Sequence, residues 1–100
     1  MTIEAAVRLR LSQMRGIVLY PDLRAHLERD AVFVVGTSID LVDCGVAIAT
    51  DDVSTVGRWI ESGELRKPEA DEREAWRLAV GRRWQSLVVQ PFVLVQDGDG

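Results

Sequence analysis

The chain has 100 residues, 47% hydrophobic and 28% charged, a length that supports one core burying roughly 60 to 70% of the unfolded surface and a hydrophobicity that excludes disorder. The formal net charge of −4 divides as five basic against six acidic residues over 1–50 and seven against ten over 51–100, so neither half supplies the basic field that phosphate backbones require, and nucleic acid is excluded as a partner class. No apolar run approaches the ~18 residues that span a bilayer, so no membrane association is expected.

Ile3, Val7, Leu11 and Met14 recur at helical spacing and predict an amphipathic first helix, with Glu4 and Arg8 paired at i, i+4 and Gly16 ending it. The run Ile17 to Tyr20 then leads to Pro21, which suits the first turn of a short second helix with Asp22 at its positive end and Leu23 and Leu27 inward. Ala31 to Val35 is β-branched, lacks alternation and is bounded by Asp30 and Gly36, which predicts a central strand covered on both faces. Thr37 with Asp40 three residues later reads as a capping box opening a mostly buried third helix through Ala49.

Asp51 or Asp52 can cap a fourth helix that turns Val53, Val56 and Ile60 inward and stops at Gly63. Leu65 to Lys67 predicts a short strand. Pro68, Glu69, Asp71 and Glu72 open a fifth helix with Trp76, Ala79 and Val80 on one side, closing at Gly81 beside Arg82 and Arg83. Ser86 to Gln96 reads as one long strand interrupted by Pro91, which puts it at a sheet edge or makes it bulged. The expected fold is an α+β single domain over residues 1–96, with five helices packed on about three strands and a polar tail at 97–100 that frays.

Little in this chain points to chemistry. Cys44 and His26 each stand alone, which removes intramolecular disulfides and zinc patterns and fits a reducing, cytoplasmic setting. Cys44 sits among apolar helix neighbours and reads as core, and His26 has no nucleophile motif around it. The arginines at 8, 10 and 15 and at 82 and 83 are diluted by acids or sit at a helix end. Asp40 and Asp43 share a helix face, with Asp51 and Asp52 following, and four carboxylates could bind Mg²⁺. That pattern supports an alternative reading as a Mg²⁺-dependent hydrolase or phosphotransfer accessory, although capping by Asp40 and by Asp51 or Asp52, with Asp43 facing solvent, already explains three of the four. Trp59, Trp76 and Trp84 could line a pocket or fill the core.

The leading expectation is therefore a non-enzymatic interaction or assembly module with no catalytic residues, no cofactor and no metal. A homodimer is expected, alongside a possible unidentified protein partner. An edge strand flanked by apolar residues needs cover, which a second copy supplies at an interface using Phe92, Leu94 and Gln96, unless the first helix covers it within one chain.

Several segments together, SIDLVDCGVAIATDD at Ser38 to Asp52, Trp59 followed by Gly63, Trp76, and WQSLVVQPFVLVQ at Trp84 to Gln96, resemble the domain of unknown function 2288 family of small bacterial proteins. The resemblance runs from Asp22 onward. It departs at Leu19 to Leu23, where the family is expected to carry a Pro-Trp pair. Asp40, Asp52, Trp59, Trp76, Pro91 and Gln96 match the pattern. The family has no established activity, substrate or cofactor, so the resemblance implies the fold and no chemistry.

Overall fold

The computed structural model describes residues 2–98. Among them, five helices and five strands follow in chain order as α1 (Ile3–Met14), β1 (Gly16–Val18), α2 (Tyr20–Glu28), β2 (Val32–Val35), α3 (Leu41–Ala49), α4 (Val53–Ser62), β3 (Leu65–Arg66), α5 (Ala70–Leu78), β4 (Trp84–Val89) and β5 (Phe92–Gln96). The fold is α+β, with more strand than the sequence suggested. Its sheet runs in the order β1-β4-β5-β2-β3, with β2 and β5 parallel and every other pair antiparallel.

Strand alternation sorts the core into two layers. Val35, Leu65, Leu87, Val89 and Leu94 meet Leu11, Leu41, Val42, Cys44 and Val46 of α1 and α3 on one face. Val32, Trp84, Val93 and Val95 meet Leu23, Leu27 and Trp76 of α2 and α5 on the other. Period-2 alternation sends successive side chains to opposite faces, so a sheet covered on both sides reads as continuously apolar, which is why residues 32–35 and 84–96 carry so few polar positions. β2 lies inside the sheet between β5 and β3, as its composition predicted.

The terminal segment departs from the expected single edge strand. Pro91 stands in a tight turn between β4 and β5, the Gln90–Pro91 peptide is cis, and Val89 pairs with Phe92 across the turn. Both strands lie inside the sheet, so the proline sits where no ladder donor is needed rather than at an edge or bulge. The real edges are β3 and β1, and β1 falls in the run Ile17 to Tyr20 that the sequence left as a connection.

Helix ends show why some boundaries moved. Thr2 caps α1, its hydroxyl accepting from the Ala5 N–H at 3.1 Å. α3 begins only at Leu41, because Asp40 itself is the cap, its carboxylate accepting from the Asp43 N–H at 3.0 Å. Thr37 instead lies in a turn, in which the Ile39 N–H donates to the Gly36 carbonyl at 3.1 Å. α2 and α3 both end in paired backbone bonds characteristic of a Schellman motif. Ala31 and Asp30 donate to His26 and Leu27, and Asp52 and Asp51 donate to Ala47 and Ile48. The left-handed position is Asp30 in one (φ 58°) and Asp51 in the other (φ 55°), where glycine is more usual. Asp30 has a use there: its carboxylate holds Lys67 at 2.5 Å and Arg73 at 3.0 Å, and Arg73 also donates to the Leu27 carbonyl, tying α5 to the end of α2.

Glycine is required once in the core. A Cβ on Gly45 would stand 2.6 Å from Leu87, 3.1 Å from Leu11 and 3.3 Å from Val89, so the bare backbone of α3 sets how closely that helix approaches both β4 and α1.

Candidate functional site

The aspartates do not form one cluster. Asp40 caps α3 and Asp43 pairs with Arg8 at 2.5 Å, which raises the Arg8 guanidinium above its ordinary value. Asp51 and Asp52 lie past the opposite end of this nine-residue helix, about 13 Å away along its axis. Asp52 caps α4, and hydrogen bonds from Thr55 and Ser54 hold its carboxyl below the ordinary value. Among the described residues, no group of three or more His, Cys, Asp or Glu side chains stands close enough to hold a metal ion.

The single-copy residues are placed for structure. Cys44 is fully buried, and desolvation pushes its thiol up to about 12, so it is no nucleophile at neutral pH. His26 is half-buried, with its Nδ1 2.6 Å from the Arg29 guanidinium. Trp76 and Trp84 pack against each other in the core at 5.1 Å, with the Arg82 guanidinium 4.8 Å above Trp84. Trp59 is half-buried beside Arg8, Asp43 and Asp52.

The residues expected at an interface lie inside the fold. Leu94 is fully buried against Leu87. The Gln96 amide is buried and donates to the carbonyls of Gly36 at 2.9 Å and Ile39 at 2.7 Å, so it latches the loop before α3. Phe92 is half-buried, edge-on to Phe33 at 5.3 Å. The terminal segment is already paired on both sides, so it offers no free ladder edge to another chain.

Two apolar surfaces do reach solvent. The first is on α4, where Val53, Val56, Gly57 and Ile60 make one stripe at i, i+3, i+4, i+7 spacing. The sequence turned that stripe inward, yet Val53 is 77% and Ile60 54% exposed, and no residue of α4 is fully buried. With Ala47 and Ile48 of α3 the stripe lines a groove of about 270 Å³, flanked by Asp51 and Asp52. The second surface is the sheet edge at β1. Met14, Ile17 and Leu19 are exposed along it, and Val80 is 97% and Leu78 65% exposed where the chain leaves α5. Leu19 and Val80 share a cavity of about 210 Å³ with Tyr20, Pro21 and Arg77. The apolar faces read in the first and fifth helices are only partly covered. α1 buries only Leu11 fully, and Val80 lies beyond the end of α5.

The sequence and fold have known relatives. A family model described as "Protein of unknown function (DUF2288)" matches residues 6–97. The chain belongs to the DUF2288 family. The match reaches into α1 and takes in β1, so the N-terminal block that departed from the expected pattern is part of the DUF2288 domain. The fold is shared with PA1075 from Pseudomonas aeruginosa, known from an NMR solution structure, at a TM-score of 0.79 and 25% identity over 96% of this chain and 88% of that one. A comparison with curated proteins returned no match.

The β1 surface was missed in the sequence because a three-residue strand, Gly16–Val18, is too short to show alternation. The signal present was the apolar run Ile17 to Tyr20 itself, placed directly between a glycine and a proline. No described helix is long and apolar enough to cross a membrane. Asp97 accepts from Arg82 at 2.6 Å, and residues 99 and 100 of the polar tail lie outside the described residues.

Proposed function

We propose that this DUF2288 domain is a non-enzymatic protein-interaction module of the bacterial cytoplasm. The observation that carries the reading is the apolar stripe of α4. Val53, Val56 and Ile60 have the periodicity of a covered helix face, yet the chain's own core leaves Val53 and Ile60 largely in water. An apolar groove bounded by carboxylates at Asp51 and Asp52 suits an amphipathic helix carrying basic flanks, which would lay apolar residues at i, i+3, i+4, i+7 into it. The cytoplasm suits a buried free thiol such as Cys44.

Quantitative affinity capture from the native cell, run in parallel with wild type and a Val53→Ser, Ile60→Ser double variant, tests this. Both substitutions are at exposed positions, so folding is retained. The reading expects a protein captured by wild type and lost from the variant. Identical captures from the two would contradict it. Self-association belongs to the same reading, through the other apolar surface.

A further inference from the structure

The two edges of the sheet are built differently. β3 is two residues long and is followed by Lys67 and Pro68, and its Arg66 forms a bidentate pair with Glu72 at 2.7 and 2.9 Å. Cationic side chains and proline are the devices that keep an edge from pairing with another chain. β1 has neither. It bonds to β4 on one side, lies at the end of the sheet on the other, and reads Gly16, Ile17, Val18. The neighbouring charge, Arg15, is turned back onto the Gln85 side chain of its own chain. At this edge Met14, Ile17 and Leu19 are exposed, and Val80, 97% exposed, shares a cavity with Leu19.

We propose that β1 pairs antiparallel with β1 of a second copy of this chain about a twofold axis, joining two five-stranded sheets into one of ten strands. This rests on the interaction-module reading and names its partner, on a surface separate from the α4 groove. An antiparallel edge is self-complementary under a twofold, so each copy supplies the donors and acceptors that the other lacks.

The apolar area contributes to such an interface. These four side chains together expose the equivalent of about two complete aliphatic side chains, roughly 200 Å² per copy at ~100 Å² each. Two copies contribute roughly 400 Å², about a third of the ~1,200 Å² that a small stable interface buries. The rest would come from backbone and polar rim.

Light scattering after size exclusion, across a micromolar dilution series, tests the pairing. The expected mass approaches twice 11.1 kDa at the concentrated end and falls towards 11.1 kDa on dilution. Ile17→Lys and Val80→Asp should each weaken the dimer by about tenfold or more, since each would bury a charge at the contact. Circular dichroism reports whether each variant folds. Should Ile17→Lys unfold, Val80→Asp decides alone, because that side chain contributes nothing to the core. A mass of 11.1 kDa throughout overturns the proposal, and so does a dimer that neither substitution weakens. Neither substitution touches the α4 groove. A monomer that still captures a partner through Val53 and Ile60 would therefore end the dimer and leave the module intact.

Discussion

Gln96 shows how much one buried polar side chain can decide. Its amide donates to two backbone carbonyls of the loop before α3. Gln96→Ala removes both bonds inside a site closed to water, so it should destabilise the fold by about 1 to 3 kcal/mol. Urea unfolding would read this as a lower midpoint at unchanged slope. A change within about 0.5 kcal/mol would mean that the loop holds itself. Local signals at this scale were legible where they act locally: Asp52 and Gly63 bound α4 as their types predict. Thr37 was misread as a cap because the turn at residues 36–39 is held by a side chain nearly sixty positions away, which no local pattern reveals.

Among the elements, β3 and α5 are joined through Glu72. Its carboxylate accepts from both Arg66 nitrogens and from the Glu69 N–H at the start of α5. The Arg66 guanidinium, before any other cause, holds this carboxyl below its ordinary value of 4.5. A carboxyl depressed in the folded state contributes stability that is complete above the unfolded value and lost as pH falls through the folded one. Glu72→Gln should therefore lower the melting temperature at pH 7 by a few degrees, the scale of a partly exposed ion pair. The gap between the two proteins should hold down to about pH 5 and then close with further acid. A gap that widened in acid would contradict the assignment. The helices were legible from periodicity, and β2 from composition. The β4–β5 hairpin was not, because its residues stay apolar on both faces through the turn and Pro91 looks the same, in sequence, at a turn, an edge or a bulge.

For the whole molecule, periodicity reports that a helix face or strand is apolar without saying what covers it. Leu23 and Leu27 were expected inside and are inside. Val53, Ile60, Met14 and Val80 carried the same signal and lie in water, gathered on the α4 groove and the β1 edge. A stable monomer has no need of either concentration, and an interaction module that assembles through β1 needs at least the second. The most direct test is residue-resolved amide hydrogen exchange on the wild-type protein at low and high concentration. Assembly through β1 predicts that exchange at Gly16, Ile17 and Val18 slows as concentration rises, while Leu65 and Arg66 at the guarded edge keep the same rate. Unchanged exchange at β1, or slowing at β3 instead, would contradict it.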